Sequence, residues 1–390
     1  MELSVTTSLV EEIMADFARA TGLEPLQEEP RRYLWTDAFA VCNYLELFRQ
    51  TGDLEYRQLA AKLVDQVHHV LGKHRADGTR KGWISGLDED DGEEHPTVGG
   101  LRIGKPLNER GPDERADPRL EWEQDGQYFH YLTKWMHALN QMGQVTGEPM
   151  YASWTMELAS TAHAAFAYAP VPGGRKRMYW KKSIDLTYPL VPSMGQHDPL
   201  DGYVTFNELQ LTAKGFGETV PFDLHAEIHD MAEICRGTSL VTDDPLGIGG
   251  LLFDAARIVQ LAMKGGMEDA ALAEKALGSA LTGLRAFTSE GSINYPAEYR
   301  LAFRELGLSI GLHGVPLLQN WTSGGPGRLG GQGSLSGQLE ALRSFLPYAE
   351  SIEKFWSDRR NWKATTWTGH RDINMVMLAT SLAPRTFLVL

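Results

Sequence analysis

Apolar residues recur at three- and four-residue spacing along almost the whole chain, the period that lays one buried stripe along an α-helix. The pattern predicts helices over 9–20, 37–50, 55–71, 125–145, 150–166, 200–211, 222–236, 249–263, 268–287, 335–355 and 372–382, with a shorter one over 298–306. Within 55–71 the stripe reads Leu59, Leu63, Val67 and Val70, and Gly72 follows as a C-terminal stop. Alternation of Met178, Trp180, Ile184 and Leu186 fits short strands inside 178–190, so no large sheet is expected.

Two phrases in this pattern match. Thr51-Gly52-Asp53-Leu54-Glu55-Tyr56 returns as Thr146-Gly147-Glu148-Pro149-Met150-Tyr151. Each follows an aromatic-rich helix and precedes one rich in alanine and leucine. An internal repeat of helical hairpins constrains the whole fold. About twelve helices make six hairpins if the first closes against the last, so the expected fold is all-α, an (α/α)6 toroid with residues 1–390 as a single domain. Connections such as Thr51-Gly52-Asp53 are tight, whereas 85–120, 169–199, 289–296 and 313–333 are long and rich in Gly and Pro. Loops of such length tend to be functional, which places them at the rim of a funnel mouth. The glycine-rich run from Gly324 to Gly333 reads as a flexible loop.

Composition narrows the partners. Hydrophobic content of 42% and charged content of 23% are ordinary for a soluble globular protein. A net charge of −14 without a compensating basic face argues against nucleic acid. The basic residues Arg175, Lys176, Arg177, Lys181 and Lys182 read as a solvated loop edge. The two cysteines, Cys42 and Cys235, fall in predicted helices without metal-ligand spacing, which suits reduced, packed thiols in a cytoplasmic protein. No secretory pattern opens the chain, and no stretch reads as apolar for long enough to span a bilayer. Neither a metal nor a cofactor is expected, and the oligomeric state is left open.

Further phrases carry a resemblance. Arg32-Tyr33-Leu34-Trp35, the aromatic helix after it, Thr51-Gly52-Asp53 with Tyr56, and Trp83-Ile84-Ser85-Gly86-Leu87 form one set. Gln127-Tyr128-Phe129 through Tyr151, and Trp362-Lys363 followed by His370 and Arg371, form another. In these phrases the chain resembles the six-hairpin, (α/α)6-barrel superfamily of carbohydrate-active enzymes, and in part its N-acylglucosamine 2-epimerase-like branch. The resemblance implies a funnel that takes a small-molecule sugar or oligosaccharide. That branch places a catalytic histidine after a glycine at the start of a late helix. Here the matching stretch is Leu246-Gly247-Ile248-Gly249-Gly250, with no imidazole.

Three clusters are candidates for the chemistry. Glu121, Trp122, Glu123, Asp125, Tyr128 and His130 sit where a long loop enters a helix. Asp125 there is either an N-cap or a funnel carboxylate, and an indole beside a carboxyl raises its pKa. His197, Asp198 and Asp201 lie in a Gly/Pro-rich turn ahead of another helix, with Trp180 and Asp185 just upstream as a stacking face and polar contact. Trp367, His370 and Arg371 precede the last helix, where Asp372 is the expected cap. Asp37 is placed in the first repeat as Asp125 is in the second.

The leading expectation is a glycoside hydrolase, whose reaction needs two carboxyl groups flanking the scissile bond. Asp125 or Glu123, with Asp198 or Asp201, would be the pair. The alternative is a sugar epimerase or isomerase, with His370 and His197 moving a proton beside a carbonyl. A non-catalytic carbohydrate-binding toroid is the third reading.

Overall fold

The computed structural model describes residues 5–220, 223–267, 269–323 and 332–390. The chain is all-α: long helices follow one another in pairs, and the strands are only two or three residues long. It divides into two compact units.

One unit comprises 18–48 and 53–238. Its helices are most of Leu34–Thr51, then Leu54–Leu71, Phe129–Thr146, Pro149–Phe166, Asp198–Phe216 and His225–Cys235. The apolar period explains them. In Leu54–Leu71 the buried stripe is Leu63, Val64, Val67 and Leu71, while Leu59 and Val70 lie at its edge. The two repeat phrases fold alike, since Gly52 and Gly147 both have φ of +74°, a left-handed conformation that glycine adopts without a Cβ clash. After Gly52, Asp53 caps the next helix by accepting the Glu55 N–H at 2.9 Å. After Gly147, Pro149 takes the first helical turn, where a missing N–H costs nothing. Phe129–Thr146 packs on both Pro149–Phe166 and Asp198–Phe216.

The expected short strands are present. Gln127–Tyr128, Lys181–Lys182 and Pro189–Val191 form a three-stranded antiparallel sheet with the Lys181–Lys182 strand in the middle. Tyr128 lies opposite Lys181, and Gln127 opposite Lys182. A second ribbon pairs Ala167–Tyr168 with Arg177–Met178.

The other unit comprises 5–17, 49–52 and 239–390 among the described residues. Its centre is helix Pro245–Met263 packed on Ala270–Ser289 and Ala302–Ser323. A Cβ on Gly249 would lie 2.0 Å from the Gly307 carbonyl oxygen, and one on Gly311 would lie 2.5 Å from that of Gly249. The glycines after Leu246 therefore bring two helix backbones together, which accounts for this stretch without chemistry. Helix Pro245–Met263 has the length and composition to cross a membrane, contrary to expectation, but 72% of its apolar window is buried in the protein. Its Asp254 and Arg257 pair at 2.6 Å inside that buried region.

Several helix boundaries differ from the sequence pattern, two of them at prolines. The region expected as a loop over 313–333 is helical as far as Ser323, because Ala302–Ser323 runs straight through Pro316. An internal proline costs about 3 kcal/mol, and complete burial of Leu306, Leu308, Leu312, Val315 and Leu318 offsets it. The single helix expected over 335–355 is two, Gln332–Arg343 and Leu346–Ser357, since Pro347 starts a new first turn. Residues 324–331 of the glycine-rich run lie outside the described residues, as do Phe222 and Glu268 at the expected starts of two helices. Both cysteines are buried thiols outside any disulfide, and burial, with the nearby Glu208 charge, pushes Cys42 well above the usual thiol range.

Candidate active site

Most of the predicted carboxylates hold loops in place. Asp125 is fully buried, and helix Phe129–Thr146 starts after it, so it is not the N-cap. Its oxygens accept from Arg102 at 2.8 Å, Arg75 at 3.3 Å, and the backbone N–H groups of Gly104 and Gly126 at 3.0 Å each. These donors come from separate loop segments, and Asp125 ties them together. Arg75 extends the tie to the carbonyls of Lys105 and Pro106. Glu121 accepts from Lys181 at 2.8 Å and Arg110 at 3.3 Å. Burial lowers the Lys181 pKa, with Glu121 opposing the shift.

Asp37 is buried against Arg32 at 3.3 Å and accepts the Tyr33 N–H at 2.9 Å, fixing the entry to its helix. Asp185 accepts from Ser183 at 2.8 Å, Thr187 at 2.6 Å, and Arg80. Burial alone would raise its pKa, but these donors together hold it well below the usual carboxylate range. Asp201 pairs with Lys134 at 2.7 Å and accepts from Thr133.

A different arrangement surrounds His130. Its ring lies nearly parallel to Trp180, with centroids 6.3 Å apart and an interplanar angle of 21°. Tyr128 is 5.2 Å away, Tyr131 4.9 Å and Trp35 6.0 Å, the last two edge-on. Trp122, 55% exposed, extends this wall by an edge contact to Trp180 at 5.6 Å. Local structure sets the geometry. The Gln127–Tyr128 strand feeds directly into the helix that carries His130, and pairing of Tyr128 with Lys181 brings the neighbouring Trp180 alongside.

Asp198 enters from the first turn of helix Asp198–Phe216, where its charge complements the helix dipole. Its Oδ1 is 3.7 Å from His130 Nδ1, beyond hydrogen-bond length. Nδ1 of His130, Oδ2 of Asp198 and Nε1 of Trp35 are all buried without a hydrogen-bond partner among the described residues. The His130 side chain is 26% exposed, so solvent reaches this aromatic cleft. His197 occupies the N-cap position of the same helix without making a capping bond.

Tyr33 and Tyr131 extend the polar lining, their hydroxyls 2.7 Å apart. Burial, joined by the charges of Asp125 and Glu123 against the Tyr131 hydrogen bond, pushes Tyr33 up to about 12. Both hydroxyls are thus neutral at ordinary pH, one donating to the other. Lys105 lies 5.4 Å from the Tyr33 ring centroid; burial lowers its pKa, and Glu123 opposes that. Glu123 itself is exposed. Sequence reasoning missed Tyr33, Tyr131 and Lys105 as site residues, although Tyr131 adjoins His130 and Tyr33 belongs to the Arg32–Trp35 phrase.

The remaining predicted residues belong to the other unit. Trp367 is buried in a stack with Trp362 at 4.8 Å and Trp356 at 5.6 Å. His370 is exposed, meets Phe303 edge-on at 5.4 Å, and occupies the N-cap position expected for Asp372 without a side-chain capping bond. Arg371 is exposed.

No protein-family model matches the chain, and a search of curated proteins finds no match. Among solved structures it is similar to the crystal structure of a sugar epimerase from a ruminal bacterium, with a TM-score of 0.50 and 10% identity. That alignment covers 96% of this chain and 98% of the other. The likeness is one of fold. It runs nearly end to end, so it is a property of the helical chain as a whole.

Proposed function

We propose that this chain is a carbohydrate-active enzyme of the sugar epimerase or isomerase type, with His130 as proton carrier and Asp198 as the group that orients it. The observation carrying this reading is the buried, unpartnered pair of His130 Nδ1 and Asp198 Oδ2 beside the Trp180 face. A catalytic hydrogen bond is often long in an unliganded site and tightens when substrate binds. Closure of the 3.7 Å gap would fix the tautomer and leave Nε2 to face the substrate.

The chemistry then needs little more. Nε2 takes the proton from the carbon next to a sugar carbonyl, and the C–H electron pair becomes the carbon–carbon double bond of an enediolate. The carbonyl π pair moves to its oxygen at the same time, and the imidazolium proton exchanges with solvent. Protonation of the same carbon on its opposite face, by water entering the site, gives the epimer; return from His130 to the neighbouring carbon, with the hydroxyl proton passing between the two oxygens, gives the aldose–ketose isomer. Trp180 and Trp122 offer faces for the sugar's C–H surface, and the Tyr33–Tyr131 pair offers the one hydroxyl donor its mutual bond leaves over. The fold shared with a sugar epimerase from a ruminal bacterium supports the same reading. In this reading Asp37, Glu121, Asp125, Asp185 and Asp201 frame the cleft.

Hydrolysis by paired carboxylates is less well supported, because Asp125 is sealed from solvent with its oxygens occupied by donors. Exposed Glu123 together with Asp198 is the pair that would still serve it. Incubation with reducing sugars in heavy water separates the two. Deuterium at the carbon next to the carbonyl is expected, with turnover reduced about 10²–10⁴-fold in His130→Asn. New reducing ends without exchange, or full activity in that variant, would overturn the proposal.

A further inference from the structure

A cavity of about 600 Å³ in the same unit has a lining distinct from the aromatic cleft. Val171, Met178 and Ile234 contribute apolar wall, and Arg175, Lys176 and Arg177 contribute a basic side. Ser193 and Met194 line it as well. In a chain of net charge −14, three consecutive basic residues lining one cavity are a local exception.

Their partners leave positive charge over. Lys176 pairs with Asp230, which is also 3.0 Å from His163. Arg175 donates to the Ile234 carbonyl at 3.2 Å, at the end of helix His225–Cys235, which adds no full counter-charge. Arg177 has no ion pair among the described residues, and its backbone is held in register with Tyr168. One carboxylate thus answers three cations at the cavity wall.

We propose that this cavity binds a small phosphate monoester, its dianionic head held by Arg177 and Arg175 and its organic body set against the apolar wall. Arginine suits the head because its planar fork matches phosphate oxygens in pairs. The apolar side chains argue for an organic body in place of free phosphate. The inference is independent of the sugar chemistry, since neither His130 nor Asp198 lines the cavity.

Calorimetric titration of the full chain with phenyl phosphate, inorganic phosphate and benzoate tests it. Phenyl phosphate is expected to bind most tightly, because it alone offers both the dianion and the apolar body. Its binding should also slow amide exchange at Ser193 and Met194. Arg177→Gln should weaken it about tenfold or more, the effect of losing one charge-assisted hydrogen bond. Val171 is 60% exposed, so Val171→Glu is a second variant that tests charge at the mouth without disturbing the core. Benzoate binding as tightly as phenyl phosphate would overturn the dianion assignment. Absence of phenyl phosphate binding at millimolar concentration, or unchanged affinity in both variants, would overturn the site.

Discussion

Two clusters of aromatic rings can be compared, one in each unit. Trp356, Trp362 and Trp367 form a stack whose polar atoms are largely answered. Trp356 Nε1 donates to Glu305 at 2.8 Å, and Trp362 Nε1 donates to the Trp356 carbonyl at 2.6 Å. Asn374 bridges the Trp367 carbonyl and the Phe303 N–H. Glu305 also holds Arg300 through both its oxygens, and the Arg300 guanidinium lies 3.8 Å from the Phe355 ring centroid. The rings around His130 also pack against one another, yet an imidazole nitrogen, a carboxylate oxygen and an indole N–H among them remain buried and unanswered. Aromatic content alone therefore does not mark a site. Unspent hydrogen-bonding capacity in a cleft reached by solvent does, because each buried unmet group costs about 1–3 kcal/mol that a bound ligand can recover.

The comparison breaks most sharply at Glu305. Removing it by Glu305→Ala leaves the buried Arg300 charge and the Trp356 N–H without partners, at an expected cost of about 3–5 kcal/mol in urea unfolding. A loss below about 1 kcal/mol would mean that the tryptophan stack does not depend on its polar scaffold. Gly195→Ala sharpens the other half. A Cβ there would come within 2.5 Å of the Asp198 carboxylate atoms, so Asp198 must move relative to His130. Turnover should fall about tenfold while the melting temperature changes little, an effect of misplacement near the chemistry. Unchanged turnover would separate Asp198 from the reaction.

Much of the helical order was legible because it depends on local spacing. The period of 3.6 residues and the Thr-Gly phrases located most helices and the two tight turns at Gly52 and Gly147. The misreadings came from partners distant in sequence. Asp125 looks like a cap from its neighbours, but its donors Arg102 and Arg75 lie 23 and 50 residues away. Pro316 signals a break that burial of its helix overrides. The site was half legible. His130, Trp180 and Asp198 stood out by residue type, whereas the Tyr33–Tyr131 contact joins residues 98 apart and no local pattern announces it. Nor did spacing separate His130 from the histidines that serve packing.

His68 is the packing histidine that makes the distinction measurable. It is 3% exposed, and its Nε2 accepts the Trp135 indole N–H at 3.2 Å, so it must be neutral at that nitrogen. Burial, with the nearby His69 charge, lowers its pKa to about 3 in the folded chain. The unfolded chain gains a proton near pH 6.5 while the folded one does not. Stability from this group is therefore fully present above that pH and lost progressively as pH falls toward 3. Between pH 8 and pH 6 the loss should be about 1 kcal/mol in denaturant unfolding, and His68→Gln should abolish that increment while its amide oxygen still accepts from Trp135. His130→Asn should leave the same increment in place, since His68 still accepts from Trp135 in that variant. If both variants flatten the pH dependence of stability equally, the division between a histidine spent on packing and one held for chemistry does not hold.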